Sequence, residues 1–202
     1  MSLLTESIKV YNGKVYNIQL HNQRCNKARK ALFGSNIPLD LRTNIQVPVA
    51  YSEGLVKCRI LYNKSVQDIS FEEYSIRMIN KLCIIENNTI QYPYKFTERP
   101  ELNQLYHRRK EADEIIIVKN GLITDAYYYN IVLSRNGDLF TPASPLLEGT
   151  RRAALLKKGK LKKADIHIAE LDQFDIIYLV NALSPLGSVQ IAIQPENILH
   201  ES

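Results

Sequence analysis

Cysteine is scarce in this chain, and its three positions, Cys25, Cys58 and Cys83, are widely spaced with no Cys-x-x-Cys pair. An odd, dispersed set excludes a disulfide framework or a zinc knuckle and fits the reduced thiols of a cytoplasmic protein. Histidine is equally sparse. His21, His107, His167 and His200 share no ligand spacing, so no metal site is assigned. Long apolar runs are missing too, and none approaches the ~18 residues that a membrane helix requires. The opening Met-Ser-Leu-Leu-Thr-Glu-Ser has no positive flank, apolar stretch or small-residue cleavage site, so no secretory signal is read there. Internal repeats and low-complexity tracts are also lacking.

What is present is ordinary for a soluble globular protein: 202 residues, 45% hydrophobic and 23% charged. That length holds one large domain or two small ones around adequate cores. The net charge of +5 is concentrated in residues 151 to 163, which carry seven basic side chains. No aromatic or glycine-rich pattern for stacking on bases accompanies them. They read as a solvated helix end and loop, with Leu155 and Leu156 as its buried face, and not as a nucleic-acid surface.

Residues 7–11 and 14–18 alternate as two short strands joined by Asn12-Gly13, a strong hairpin signal because both residues tolerate positive φ. His21 to Phe33 has helical spacing and ends at Gly34. Residues 41–51 read as helical or irregular, and Val56–Tyr62 and Leu82–Ile85 as strands. Pro93 and Pro100 bracket a break, which sets the expected boundary between a small N-terminal α+β domain (1–91) and a larger, strand-rich C-terminal domain (92–202). In the second domain the pattern predicts a helix over 100–111 and a buried strand over 114–118. Leu122–Leu133 reads as one continuing strand after the Asn120-Gly121 turn, followed by a hairpin at Asn136-Gly137. A helix after Gly149 and strands over 175–180 and 189–193 complete the pattern. The class is α+β.

Three chemical needs are met in order along the chain. Lys95, in Lys-Phe-Thr-Glu-Arg, offers an amine that can condense with an aldehyde once partly desolvated. Asp125, in Gly-Leu-Ile-Thr-Asp-Ala-Tyr-Tyr-Tyr-Asn, offers a carboxylate, with Asn130 in register. Gly149-Thr150-Arg151 opens a helix whose free amides and positive dipole end suit a phosphate. Each has a plain alternative: a loop lysine in water, a strand-end aspartate capping a turn, and an ordinary helix start.

Together these segments resemble the fold-type IV pyridoxal phosphate enzymes, which include branched-chain and D-amino acid aminotransferases and aminodeoxychorismate lyases. Lys95 to Arg99 is similar to the family's Lys-Thr-Thr-x-Arg, Leu147 to Arg152 to its Leu-Pro-Gly-Thr-x-Arg, and His21-Asn22-Gln23-Arg24 to its His-x-x-Arg. Glu6 to Gly13 resembles the family's Glu-Thr-Ile-Arg hairpin, and Asn181-Ala182-Leu183 the Asn-Ala-Leu turn of the lyases. The resemblance covers about residues 6 to 192. It implies a fold-type IV architecture with Lys95 as the catalytic, cofactor-bearing residue. Asp125, an aspartate where the family has glutamate, would face the cofactor's ring nitrogen beside Asn130. Arg24, Gly149, Thr150, Arg151, Asn181 and Ala182 would hold its phosphate. It implies further an aminodeoxychorismate lyase acting on a small anionic amine, or alternatively a branched-chain or D-amino acid aminotransferase, working as a homodimer. Arg59, Arg99 and Tyr127 to Tyr129 are candidates for the substrate carboxylates. A catalytically silent member and a nucleic-acid-binding module are the remaining alternatives.

Overall fold

The computed structural model describes residues 2–201, which group into two compact units. The first comprises residues up to Ser75 together with Tyr94–Glu98, and the second comprises Ile76–Pro93 and the chain from Arg99.

In the first unit, β1 (Leu4–Tyr11) turns through Asn12 (φ 46°) and Gly13 (φ 72°) into β2 (Lys14–Val15), and α1 (Ile18–Phe33) follows. Two short 3-10 turns lead to β3 (Leu55–Tyr62) and β4 (Val66–Glu73). The sheet is antiparallel in the order β2-β1-β3-β4. Alternation along β1 and β3 sends Leu4, Ile8, Val10, Val56, Cys58, Ile60 and Tyr62 into a core closed by Ile18, Cys25 and Ala28 of α1. The three cysteines are free and buried. Burial pushes the thiols of Cys25 and Cys58 up to about 12, which leaves them inert. Strand β4 escapes the sequence pattern because its faces are half-exposed and polar.

The segment Tyr94–Glu98 lies along the outer side of β1, beyond its pairing with β2. Thr5 N–H donates to the Lys95 carbonyl at 2.9 Å, Leu4 bridges Phe96, and Thr97 N–H donates to the Leu3 carbonyl at 2.9 Å. Lys95 therefore groups with the first unit, although the sequence places it in the C-terminal domain. Conversely, Ile76–Pro93 groups with the second unit, because β5 (Leu82–Glu86) pairs in parallel with β6 (Glu114–Lys119).

The second unit also holds α2 (Pro100–His107), shorter than the sequence predicts, and β7 (Leu122–Ile123). Strands β8 (Asn130–Arg135) and β9 (Asp138–Pro142), helix α3 (Thr150–Lys157), β10 (Lys162–Ala164), β11 (Ile176–Val180), β12 (Gln190–Ala192) and β13 (Ile198–His200) complete it. Two sheets form, β13-β5-β6-β7 and β10-β9-β8-β11-β12. Side chains from both, among them Ile116, Val118, Ile131, Leu133, Ile177 and Leu179, share one core.

The expected single strand over Leu122–Leu133 is broken. Ile117 exchanges backbone bonds with Thr124 and Asp125, and Ala126 N–H then closes on the Tyr129 carbonyl at 2.9 Å. A tight turn over 126–129 results, with Asp125 bridged to Asn130 at its base. The basic run also differs from expectation. Arg152 is buried, with Nε donating to Thr141 Oγ1 at 3.1 Å and Nη2 to the Pro142 carbonyl at 2.7 Å. No helix among the described residues is long and apolar enough to cross a membrane.

Ile60 is fully buried at the centre of the first unit. Ile60→Ala should cost roughly 2–5 kcal/mol in unfolding free energy, read by urea denaturation.

Candidate active site

In the first unit, β1 and α1 build a buried charged cluster. Glu6 is one of the few inward polar residues of β1 and is 0% exposed. His21 and Arg24 stand three apart on α1 and so share a face. Arg24 clasps Glu6 from Nε to Oε1 at 2.9 Å and from Nη2 to Oε2 at 2.6 Å, while His21 Nδ1 lies 2.5 Å from Oε2. Burial alone would raise the Glu6 carboxyl, but Arg24 and His21 overturn that and hold it at about 2. His21 is itself lowered, first by burial and further by the charges of Arg24 and Lys95. Lys95, half-buried on the strip beside Thr5, thus belongs to the same charged neighbourhood as Glu6, His21 and Arg24. Two of Arg24's guanidinium nitrogens are directed by Glu6, a partner that the sequence motif contains but whose role its pattern does not reveal. Arg59 faces solvent from β3.

In the second unit the carboxylate is Asp125, 5% exposed at the base of the tight turn. Asn130 Nδ2 donates to its Oδ1 at 2.6 Å, and Leu147 N–H to its Oδ2 at 3.0 Å. The Asn130 amide is itself held, its Nδ2 also reaching the Leu147 carbonyl at 2.9 Å. These donors are neutral. Burial outweighs them and pushes the Asp125 carboxyl up to about 7, with Arg152 supplying a weak opposing pull.

Gly149 precedes α3 in extended backbone, and a Cβ there would overlap the Asn130 side-chain oxygen. The sequence gives a glycine for phosphate approach. The structure adds a second reason, since only glycine lets Asn130 close over Asp125. Thr150 is buried in the first turn of α3, and Arg151 beside it has a buried Nε with no hydrogen-bond partner among the described residues. Asn181 follows Val180, which pairs with Asn130 across β11 and β8. Its Oδ1 accepts from Leu183 N–H at 2.9 Å and Ser184 N–H at 2.8 Å, fixing the turn that carries Ala182. Asp125, Asn130, Gly149, Thr150, Arg151, Asn181 and Ala182 are thereby brought into the second unit, while Lys95 and Arg24 are brought together in the first.

Arg99 stacks on the Tyr127 and Tyr128 rings at 4.1 and 4.5 Å, with Tyr106 stacked on Tyr127 at 4.2 Å. A buried carboxylate, Glu114, that the sequence did not mark lies under this group. Its Oε1 accepts from Tyr127 N–H at 3.1 Å. Inside a run of hydrophobic strand residues, nothing in the pattern separates it from a strand-start charge in water.

The description of the amino-transferase class IV family matches residues 3–191. The chain belongs to that family, the fold-type IV pyridoxal phosphate enzymes. An uncharacterized protein of Haemophilus influenzae is 32% identical over 185 residues, 91% of this chain and 98% of that one. The crystal structure of a candidate 4-amino-4-deoxychorismate lyase from Haemophilus somnus superposes with a TM-score of 0.83 at 34% identity, covering 92% of this chain and 98% of that one. The branched-chain amino acid aminotransferase of Escherichia coli shares the fold alone, with a TM-score of 0.69 at 19% identity over 93% of this chain and 76% of that one. Class IV membership accounts for the order of the lysine, carboxylate and glycine segments along the chain.

The Asp125 cage yields two predictions. A carboxyl raised on folding stabilises the folded state below the usual carboxylate range and loses that contribution as pH rises through about 7. The unfolding free energy of Asp125→Asn should therefore gain on that of the parent protein by on the order of 3–4 kcal/mol between pH 4 and pH 8. A pH-independent difference in urea denaturation contradicts this. Gly149→Ala should lower stability by about 1–3 kcal/mol, because Asn130 must give way.

Proposed function

We propose that the protein binds pyridoxal phosphate and is an aminodeoxychorismate lyase, converting 4-amino-4-deoxychorismate to 4-aminobenzoate and pyruvate. The observation that carries the cofactor reading is Asp125. It is a buried carboxyl that accepts hydrogen bonds from the Asn130 amide and the Leu147 N–H, both neutral donors, and it is raised well above its usual range. A protonated ring nitrogen is the partner that such a group lacks, so the residues present fit the cofactor. Arg151, with its buried unpartnered Nε at the start of α3, fits an anion in the same way.

When bound, the cofactor supplies an electron-withdrawing ring that stabilises negative charge at the amine-bearing carbon of the substrate. Asp125 keeps the proton on the ring nitrogen, and Asn130 with the Leu147 amide keeps Asp125 in place. Lys95 is the residue that would hold the cofactor, by the amine it offers to an aldehyde. Lys95 Nζ would take the proton from the amine-bearing carbon of the substrate and, as the ring C–O bond to the enolpyruvyl group breaks, return one to the methylene carbon of the departing pyruvate. The ring left behind becomes aromatic, which drives the elimination without a further co-reactant. Gly149, Thr150, Arg151 and the Asn181-Ala182 turn would hold the phosphate, and Arg24, oriented by Glu6, is given the same role by family resemblance alone.

Two features support elimination over amino transfer: the Asn181-Ala182-Leu183 turn, which resembles the lyases, and the 34% identity to the Haemophilus somnus protein. The reading includes a cytoplasmic homodimer, by family resemblance. The fold is shared with aminotransferases, so the decisive assay carries both reactions. Purified protein with pyridoxal phosphate should release 4-aminobenzoate and pyruvate in equal amounts. Sustained transfer between an amino acid and a keto acid, without 4-aminobenzoate, overturns the lyase reading. Lys95→Ala should lose the visible absorbance of the lysine-bound cofactor and lower turnover by at least about 100-fold.

A further inference from the structure

Glu114, the first residue of β6, is 0% exposed, and its Oε2 has no hydrogen-bond partner among the described residues. Its Oε1 accepts two backbone protons, from Ile115 N–H at 2.9 Å and from Tyr127 N–H at 3.1 Å. A buried carboxylate with one oxygen unpaired is costly, and an apolar side chain would fill the same space more cheaply. Its contribution must come from what Oε1 holds. That is the backbone of the 126–129 turn, two residues beyond Asp125.

The turn is a junction. Tyr127 stacks on Tyr106 at 4.2 Å with an interplanar angle of 14°, and its hydroxyl donates to Asn103 Oδ1 at 2.7 Å. The Tyr127 carbonyl accepts from Arg99 Nη1 at 3.4 Å, and the Tyr128 carbonyl accepts from Asn181 Nδ2 at 3.4 Å. Arg109 closes the far side of the stack, 4.0 Å over Tyr106. One backbone bond from Glu114 therefore fixes a turn that Asp125, Arg99 and Asn181 all lean on. Beyond its Ala126–Tyr129 closure, the turn has few backbone ties of its own.

We propose that Glu114 is a positioning residue: it braces the 126–129 turn through Tyr127 and thereby sets the place of the Arg99–Tyr127–Tyr106–Arg109 stack beside the Asp125 cage. An ionised carboxylate makes stronger bonds to the two amides than a neutral acceptor does. The charged and titratable groups around it are Arg77 ahead of β5, Asp113 beside it, Tyr106 and Arg109 from α2 and the residues after it, and Tyr127 and Tyr129 of the turn. Burial raises Glu114 to about 7, so the brace changes strength across neutral pH.

The chain has twelve tyrosines and no tryptophan, so its near-ultraviolet circular dichroism reports tyrosine packing directly. The cofactor-free protein should show a transition in that signal near pH 7. The transition should vanish in Glu114→Gln, whose amide oxygen still accepts from both amides but cannot ionise. It should persist in Asp125→Asn, which removes the neighbouring group that titrates in the same range. Glu114→Leu, which keeps volume but accepts nothing, should lose tyrosine signal while keeping its far-ultraviolet spectrum.

In the loaded enzyme, an arm that rests on the proposed lyase reaction, Glu114→Leu should raise KM by about tenfold with kcat changed less, and Glu114→Gln should restore it in part, to a value that no longer changes across neutral pH through this group. A transition that survives Glu114→Gln, or a Glu114→Leu protein with unchanged tyrosine signal and KM, overturns the proposal. Should Glu114→Leu not fold, the Glu114→Gln transition decides alone. Absence of 4-aminobenzoate from the parent enzyme would count against the lyase reading only, since the cofactor-free measurements do not depend on it.

Discussion

Burying a carboxylate without a counter-charge is the constraint around which the second unit is arranged. Asp125 sits at the base of a turn that breaks what would otherwise be one long strand, and its oxygens accept from the Asn130 side chain and the backbone amides of Leu146 and Leu147. Holding it there demands that Asn130 lie flat against the start of α3, which in turn demands glycine at 149. It also demands that the loop through Leu147 present an N–H inward. The group meets the cost of burial by holding its proton more tightly, which is why it is raised to about 7.

The first unit handles a buried carboxylate in the opposite way. Glu6 is as deeply buried as Asp125, yet Arg24 and His21 supply charge and hydrogen bonds, and the group is held at about 2 instead of about 7. Two carboxylates with the same burial thus carry different duties. Glu6 is a permanent anion that aims Arg24. Asp125 waits for a proton-bearing partner. The contrast lies in the partners alone: charged ones hold Glu6 ionised, while neutral ones leave burial to raise Asp125.

The elements that sequence reveals are those that local chemistry dictates. Asn-Gly pairs at 12, 120 and 136 each adopt positive φ and each close a turn where expected. Alternation identifies β1 and β3, and continuous apolar runs identify β6 and β11, because burial on one face or on two leaves different periods. The candidate site residues are legible for a different reason, since Lys95, Asp125, Asn130 and Gly149 fall within short motifs. What stayed hidden depends on partners far away in the chain. Lys95 was expected with the C-terminal domain because the prolines around it mark a break, and nothing local shows that its carbonyl will bond Thr5 ninety residues earlier. The break in the 122–133 strand arises from Ile117, which bonds Thr124 and Asp125 and pulls the chain out of line. Arg152 looked solvated within a basic run and is instead buried against Thr141 and Pro142, carbonyl and hydroxyl acceptors that no pattern announces.

Glu114 extends the same reasoning from the site to its support. A catalytic carboxylate needs sub-ångström placement, yet the turn that follows Asp125 is short, aromatic and tied to the sheet by few bonds of its own. Stacked rings resist sliding poorly along their planes. A charge-accepting oxygen beneath the Tyr127 amide resists it well, because a hydrogen bond weakens steeply as it tilts. The fold therefore places two buried carboxyls on one hairpin: Asp125 at its base, and Glu114 beneath the Tyr127 amide, where it keeps the hairpin from drifting. Aromatic packing alone could supply the surface of the turn, but only a fixed acceptor under its backbone can supply the register on which Asp125, Arg99 and Asn181 depend.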